Sequence, residues 1–225
     1  MKMTDWDKEI ARHKETKGFF STFLLMVALT FLPLLFPNRE KLEAEGWLVP
    51  ILLVIEFVVI VPLYLKFYKN RPSFGAGNFK PATFFGFLLI ILALQFIAPA
   101  LLGITKTESW VIEQVSLQGN VFFLVQLTLI ILAPIYEEIV FRGCLYGAFQ
   151  TWFAGGKIGA AIVTSILFAI LHTQYADARM LLILFCISLT LIAARARSNG
   201  LLMPISLHIA MNGIVLGVSY WVIQA

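Results

Sequence analysis

Seven long apolar runs, separated by short polar segments, are the feature of this sequence that most restricts its fold. They fall at about 18–36, 47–65, 81–103, 119–153, 157–172, 179–194 and 200–223. A helix needs roughly 20 apolar residues to cross the hydrocarbon core of a bilayer, and most of these runs reach or approach that length. The sequence therefore predicts an all-α, polytopic transmembrane helical bundle with about seven spans, within a range of six to eight.

The composition supports a membrane protein and argues against a soluble one. Hydrophobic residues make up 60% of the 225 residues and charged residues only 13%, whereas about 25% of the residues are charged in a typical soluble domain. The net charge of +4 does not indicate a nucleic-acid partner, because no basic face with interleaved aromatic residues lies outside the apolar runs. The partner that we expect is the lipid bilayer.

The distribution of Lys and Arg predicts how the chain lies in the cell membrane. With a cytoplasmic N-terminus, 12 Lys and Arg residues fall in cytoplasmic segments and four on the opposite side, namely Arg39, Lys41, Lys106 and Arg179. Because cytoplasmic loops are enriched in basic residues, this bias favours a cytoplasmic N-terminus. We expect residues 1–17 to form a cytoplasmic polar tail and residues 18–225 to form a single transmembrane bundle.

Ionisable residues inside the predicted spans are the first candidates for function. A charged side chain at the centre of a bilayer costs about 3 kcal/mol or more, so such residues usually face a cavity or pair with a partner. The set comprises Glu56, Glu137, Glu138, Arg142, His172 and His208. Glu56, in the middle of the second run, has no partner that the sequence reveals. It either pairs with another helix or faces a cavity.

The acidic pair Glu137-Glu138 forms the sharpest cluster. Glu138 and Arg142 are four residues apart, so on a helix they share a face and are expected to form an ion pair. Glu137 points about 100° away from Glu138 and has no partner of opposite charge on its own helix. An unpaired carboxylate of this kind suits general acid–base chemistry. Pro134 is expected to loosen the preceding turn and to make room for water.

Two further clusters lie in later spans. Phe168 and His172 are four residues apart near the end of the fifth run, and His208 and Asn212 share a helix face in the last run. A carboxylate and an imidazole around one water molecule activate it for attack on a peptide carbonyl. An amide side chain and a second imidazole stabilise the oxyanion that forms.

A depth estimate relates these residues to the turn expected at Gly155-Gly156. Glu137 precedes that turn by about 18 residues and His172 follows it by about 16, so at ~1.5 Å per residue both lie roughly 25 Å from its tip. His208, about 10 residues into its span, is expected at a depth of only about 15 Å. That value agrees less well, unless the turn projects into the cytosol or the last span is offset.

Other protease chemistries are weighed against this one. Two His and one Glu are a familiar zinc set that leaves a fourth position for water, and Glu137, His172 and His208 would supply it. The motif H-E-x-x-H of soluble zinc proteases is absent, and no Ser or Cys stands beside a His in sequence. A protease with a nucleophilic side chain therefore has less support.

The three motifs, taken in order, resemble a known family. E-E-x-x-x-R at Glu137–Arg142, F-x-x-x-H at Phe168–His172 and H-x-x-x-N at His208–Asn212 are similar to those of the CPBP family, which includes type II CAAX prenyl endopeptidases and bacterial Abi proteins. Each motif alone is weak, but the ordered set is specific. The resemblance covers about residues 119–215, which would form the catalytic core, whereas the first three spans show no such similarity.

The resemblance implies roles for individual residues. Glu137 and His172 would activate the water, His208 and Asn212 would stabilise the tetrahedral intermediate, and Glu138 with Arg142 would hold the shape of the site. The family has been described both as metal-dependent and as metal-free. We favour a metal-free glutamic peptidase without a cofactor, with a divalent metal such as zinc as the alternative.

The sequence thus predicts an intramembrane endopeptidase that cleaves a membrane-associated peptide or a lipidated protein. A non-proteolytic scaffold or regulator of the same fold, which binds a partner protein, is the alternative. A small transporter with a proton relay is a third class, but no repeat between the two halves of the chain supports it. Prenylated C-terminal peptides, bacteriocin leaders and signalling-peptide precursors all fit as substrates, and the sequence does not indicate an oligomeric state.

Overall fold

The computed structural model describes residues 5–104 and 108–224. Residues 1–4, 105–107 and 225 lie outside the described residues, and with them Lys2 and Lys106 of the charge count and the first residues of the predicted polar tail. Within the described ranges the chain is helical and contains no β-strand, which confirms the all-α prediction.

Each predicted apolar run corresponds to a helix. Two shorter helices, Arg39–Ala44 and Ser109–Ser116, and a 3-10 turn at Leu32–Leu35 lie in the connecting segments. In the two described ranges the helices are α1 (Asp5–Thr30), α2 (Arg39–Ala44), α3 (Leu48–Phe67), α4 (Pro81–Leu101), α5 (Ser109–Ser116), α6 (Gly119–Trp152), α7 (Lys157–Leu171), α8 (Ala178–Ser198) and α9 (Leu202–Gln224).

Five helices in the described part of the chain are long and apolar enough to cross a membrane: α3, α4, α6, α8 and α9. Helix α7 is apolar but has only 15 residues. Helix α1 carries its apolar residues in its second half and begins at Asp5, inside the segment expected as a polar tail. The polytopic helical bundle is confirmed, and α1 and α7 are the two predicted spans that do not reach the length or composition of the others.

Helix α6 is the central helix of the bundle. It packs against α1, α3, α7 and α9. Its middle is buried on nearly all sides, with Val140, Cys144 and Leu145 fully enclosed. A second core joins α4, α8 and α9 through side chains such as Ile91 and Ile187. A helix that is apolar on all sides must be covered by other helices or by lipid. Because other helices surround the middle of α6, its acidic pair lies deep inside the protein.

The turns that follow α6 and α8 each contain a residue in the left-handed region. Gly155 adopts φ +89° in the turn between α6 and α7, which is the turn expected from the sequence. Helix α8 ends at Asn199 in the left-handed region, and the backbone of Gly200 then packs directly against that of Gly77, where a side chain would not fit. Leu201 and Met203, on either side of the first residue of α9, are buried.

Candidate active site

A cavity of about 500 Å³ lies between α1, α3, α5, α6, α7 and α9. Glu137, His172, His208 and Asn212 all line it. The structure therefore brings together the four residues predicted to be catalytic, although they come from three helices and span 76 positions of the chain.

Helix α6 departs from α-helical geometry on both sides of the acidic pair. Thr128–Leu132 and Ile139–Leu145 are π-helical, and Ala133 donates its N–H to the carbonyl of Thr128, five residues earlier. In this register Pro134 would be the donor to Leu129, but proline has no N–H. The loosened turn predicted before Pro134 is thus present, and it leaves the carbonyl of Leu129 without a backbone donor.

Asn212 on α9 supplies the missing donor. Its Nδ2 lies 2.8 Å from the carbonyl oxygen of Leu129. An unpaired carbonyl inside a membrane protein is costly, so this hydrogen bond stabilises the contact between α6 and α9. Asn212 is half-buried and lines the cavity. One hydrogen of its amide group is engaged with Leu129, and the second remains for another acceptor.

Glu138, Arg142 and His208 form a buried polar triad. Glu138 Oε1 accepts hydrogen bonds from Arg142 Nη1 at 2.9 Å and from His208 Nδ1 at 2.8 Å. The side chains of Glu138 and Arg142 have no exposed surface, and the Arg142 guanidinium lies 4.3 Å from the centre of the Phe168 ring. The predicted ion pair on one helix face is present, and the triad ties α6 to α9.

Glu137 and His208 face each other across the cavity. Because Nδ1 of His208 is bound to Glu138, its Nε2 points towards Glu137, whose Oε2 lies 3.9 Å away. This separation exceeds a direct hydrogen bond. The Glu137 side chain is 19% exposed, in contrast to the enclosed Glu138. The two adjacent carboxylates therefore differ in environment, one facing the cavity and one locked into the core.

His172 comes directly after the last residue of α7. Its Nδ1 lies 2.6 Å from the carbonyl oxygen of Phe168, the first residue of the F-x-x-x-H motif. A carbonyl oxygen only accepts, so Nδ1 carries the hydrogen and Nε2 keeps its lone pair. The ring also packs at 4.3 Å from the ring of Phe168. Phe168 thus fixes both the orientation and the tautomer of His172, and the basic nitrogen is left free.

His208 lies at the level of the acidic pair, because it contacts both Glu137 and Glu138. Its expected depth of about 15 Å agrees with that position if the turn at Gly155-Gly156 projects into the cytosol or the last span is offset.

The three residues considered for zinc do not form a ligand set in this structure. Among residues 5–104 and 108–224, no group of three or more His, Cys, Asp or Glu side chains is arranged to hold a metal ion. Glu137 and His208 approach each other, and both imidazoles have Nδ1 bound to an acceptor, which leaves Nε2 facing the cavity.

Glu56 is a cavity residue that sequence reasoning identified as an ionisable group but did not place. Its Oε1 lies 2.8 Å from Thr30 Oγ1 on α1, and its Oε2 accepts a hydrogen bond from the Tyr136 hydroxyl on α6. Glu56 therefore meets both alternatives expected from the sequence, since it is hydrogen-bonded to other helices and lines the cavity. Tyr136 was missed, because a tyrosine next to an acidic pair carries no signal of its own.

Helix α5 and the segment 172–177 contact each other beside the cavity. The Glu108 carboxylate accepts the backbone N–H groups of Ala176 at 3.2 Å and Asp177 at 3.4 Å. Trp110 packs edge-on against Tyr175 at 5.4 Å. Burial, with a further contribution from the charge of Glu108, raises the pKa of Tyr175, so its hydroxyl stays neutral. These contacts hold α5 next to the loop that carries His172.

Comparison with known proteins identifies the segment that carries the motifs. Residues 119–214 match the sequence model of the family described as type II CAAX prenyl endopeptidase Rce1-like. Residues 119–214 are called the Rce1-like segment below. The resemblance drawn from the three motifs is confirmed, and the Rce1-like segment contains all seven residues of the motifs.

Two curated proteins are similar to the chain. An "Uncharacterized 24.3 kDa protein" of Escherichia coli is 39% identical over 94 residues, which are 42% of this chain and 42% of that protein. The "Putative membrane peptidase YdiL" of Bacillus subtilis (strain 168) is 28% identical over 220 residues, 86% of this chain and 84% of that protein. No solved structure matches. The second similarity extends well beyond the Rce1-like segment.

Proposed function

We propose that this protein is an intramembrane endopeptidase that cleaves a membrane-associated peptide or protein by water attack. The observation that carries this proposal is the arrangement of Glu137, His172 and His208 around one cavity inside the bundle. Each imidazole has its Nδ1 committed elsewhere, so its Nε2 is the nitrogen available to the cavity. The Rce1-like family and the peptidase name of a relative support the same reaction class.

In the proposed mechanism Glu137 and His172 activate the water. The lone pair on Nε2 of His172 or an oxygen of Glu137 accepts a proton from water as its oxygen attacks the peptide carbonyl carbon. The C=O double bond becomes a C–O⁻ single bond in a tetrahedral intermediate. When the intermediate collapses, the C–N bond breaks and the accepted proton passes to the leaving amine, which gives a carboxylic acid and an amine as products.

His208 and Asn212 stabilise the oxyanion in this mechanism. The hydrogen bond to Glu138 sets the orientation of the His208 ring, and Nε2 donates to the oxyanion when the ring carries its second proton. The second hydrogen of the Asn212 amide group is the other donor. Glu138 and Arg142 do not react, and they hold His208 in place.

We propose that the reaction needs no metal, and every step above uses side chains of the chain itself. Cleavage in the presence of a tight chelator checks this assignment. We expect the rate to stay within about twofold of that of untreated protein. A loss of activity that zinc restores would show that the protein is a metallopeptidase instead.

We further propose that the N-terminus is cytoplasmic and that the cavity opens on the opposite face of the membrane. The basic residues of the segment 66–80 and of the N-terminal segment favour this orientation. Among the described residues, the cavity is lined by α5, by 172–175 and by parts of α1 and α3 near their C- and N-terminal ends, respectively. No lining residue comes from the loops 68–80, 153–156 or 199–201. The substrate would therefore enter from the non-cytoplasmic side.

The lining of the cavity fits an apolar peptide segment or a lipid-modified one. Apolar side chains such as Met26, Leu53 and Leu129 surround the few polar groups. The family name describes prenyl endopeptidases, and a lipidated protein is accordingly one candidate substrate. Bacteriocin leaders and signalling-peptide precursors are candidates of the same chemical kind.

The experiment that tests the proposal uses membranes that contain the parent chain, Glu137→Gln, His172→Ala or the control Glu113→Gln, with a panel of labelled peptides. Glu113 also lines the cavity but lies on α5, away from the motifs. We expect the parent and Glu113→Gln to cleave and the other two variants to lose about 100-fold or more of the rate. Equal cleavage by all four would refute the assignment of Glu137 and His172.

A peptide panel that no variant cleaves would count against the peptidase proposal. The non-proteolytic scaffold would then be supported if the parent and Glu137→Gln capture the same protein from solubilised membranes.

A further inference from the structure

Glu56 lies outside the Rce1-like segment and yet reaches its cavity. It stands on α3, its side chain is almost fully buried, and the groups bonded to it are the hydroxyls of Thr30 and Tyr136. No ion pair of Glu56 occurs within the described residues. A carboxylate at this depth is costly when it lacks an opposite charge. Its presence therefore needs a reason beyond packing.

One carboxylate joins three helices at this point. Oε1 meets Thr30 on α1, Oε2 meets Tyr136 on α6, and Glu56 itself belongs to α3. Of these partners, Tyr136 directly precedes Glu137 in the chain. The connection from Glu56 thus ends one residue from the carboxylate that faces the cavity.

The residues on both sides of Glu137 are hydrogen-bonded to different helices. Tyr136 donates to Glu56 on α3, and Glu138 accepts from His208 on α9. Successive side chains on a helix point about 100° apart, so two such contacts set the rotation of α6 about its axis at Glu137. Glu137 itself has no hydrogen bond on its own helix in the described part of the chain. Its position depends on its neighbours.

The need for such contacts follows from the shape of α6. The segments before and after the acidic pair are π-helical, and the backbone geometry there does not by itself fix the direction of the Glu137 side chain. π-Helical turns are rare and are retained where surrounding structure supports them. Glu56 and His208 provide this support from opposite sides of the helix.

We propose that Glu56 is a positioning residue of the peptidase, which acts through Tyr136 to hold the Glu137 carboxylate where it activates the water. This inference rests on the proposed peptidase function. Glu56 touches no reacting atom, and its contribution is to orient α6. The first helices of the chain thereby take part in the chemistry of the Rce1-like segment.

A purely structural tie between helices is the competing explanation, and the two hydrogen bonds of Glu56 separate it from positioning. Thr30 and Tyr136 each connect Glu56 to another helix, but only Tyr136 lies next to Glu137. The matched variants are therefore Glu56→Gln, Tyr136→Phe, their double variant and Thr30→Val, all close in volume to the parent residues.

We expect Glu56→Gln and Tyr136→Phe each to lower kcat by about 10- to 100-fold, because a small displacement of a reacting group has an effect of this size. KM should stay within about twofold, since neither residue is proposed to bind the substrate. The double variant should lose no more than the more affected single variant. Thr30→Val should keep kcat within about twofold of the parent.

Three results would overturn the inference: a kcat of Glu56→Gln equal to that of the parent, a double variant whose loss is the product of the single losses, or an equal loss in Thr30→Val. The midpoint temperatures of unfolding of the same purified variants give a second measurement that needs no substrate. We expect the decreases for Glu56→Gln and Tyr136→Phe to be less than additive. Strict additivity would refute the coupling even if the parent cleaves no peptide, whereas an inactive parent with coupled variants would count against the peptidase function alone.

Discussion

His208 and Glu138 are 70 residues apart in the chain and are joined by a hydrogen bond of 2.8 Å between Nδ1 and Oε1. This bond sets which nitrogen of the imidazole faces the cavity, because it occupies the other one. Of the two adjacent glutamates, the buried one orients the histidine and the cavity-facing one stands opposite its free nitrogen. The structure thus separates a buried carboxylate from a cavity-facing one within a single dipeptide.

The bond between His208 and Glu138 gives the first prediction. Replacement of His208 by Asn keeps a donor near the position of Nδ1 and removes the group at Nε2. We expect His208→Asn to unfold at nearly the temperature of the parent but to cleave about 100-fold more slowly, as for the loss of one oxyanion donor. Peptide cleavage and thermal unfolding of the same preparation check both parts. A variant that cleaves at the parent rate would show that Nε2 takes no part in the reaction.

The buried ion pair gives a prediction on stability. Arg142→Met removes the cation from Glu138 and leaves a buried carboxylate without its main partner. Loss of one member of a buried pair costs about 3–5 kcal/mol, and we expect a destabilisation of this size in denaturant unfolding of the purified protein. Arg197→Met, on the exposed side of α8, is the control and should change stability by less than about 0.5 kcal/mol. Equal stability of the two variants would contradict the ion pair.

The hydrogen bond from the Asn212 amide to the Leu129 carbonyl is tested by a rescue experiment. Asn212→Leu should cost about 1 kcal/mol of stability, because the carbonyl of Leu129 loses its donor. Pro134→Ala restores a backbone N–H that could bond to that carbonyl. We therefore expect Asn212→Leu to be less destabilising in the Pro134→Ala background than in the parent. Equal losses in both backgrounds would mean that the missing proline N–H is not what Asn212 compensates.

The face on which the cavity opens is tested by cysteine labelling in intact cells. Gln174→Cys lies exposed beside the opening, and Asn70→Cys lies exposed at the opposite end of the bundle. Both are made in a background with Cys144→Ala and Cys186→Ala. A membrane-impermeant maleimide should label Gln174→Cys in intact cells, and Asn70→Cys only after permeabilisation. The reverse pattern would place the N-terminus outside and the opening in the cytosol.

Local patterns in the sequence predicted the helices and the contacts within them. Unbroken apolar runs predicted the helical bundle, because length and composition define a membrane span. The spacing of four residues predicted the ion pair between Glu138 and Arg142. Pro134 predicted a loosened turn, and the structure contains it as the π-helical segment Thr128–Leu132. In each case the physical cause lies within a few residues of the observation.

Contacts between helices were not predictable in the same way. The position of His208 beside the acidic pair depends on how α9 packs against α6, which is set only in the folded chain. The partners of Glu56 lie 26 and 80 residues away, and no periodicity connects them. The role of Asn212 required the π-helical register of α6, which a sequence pattern does not specify.

The walls of the cavity have a consequence for any attempt to isolate the Rce1-like segment. A fragment that starts at residue 119 would keep every motif, but it would lack Met26, Leu53 and Glu56, which close one side of the cavity. Lipid tails would then reach the acidic pair from that side, and Tyr136 would lose its acceptor. The segment that carries the motifs is therefore smaller than the part of the chain that is needed to enclose a water molecule beside Glu137.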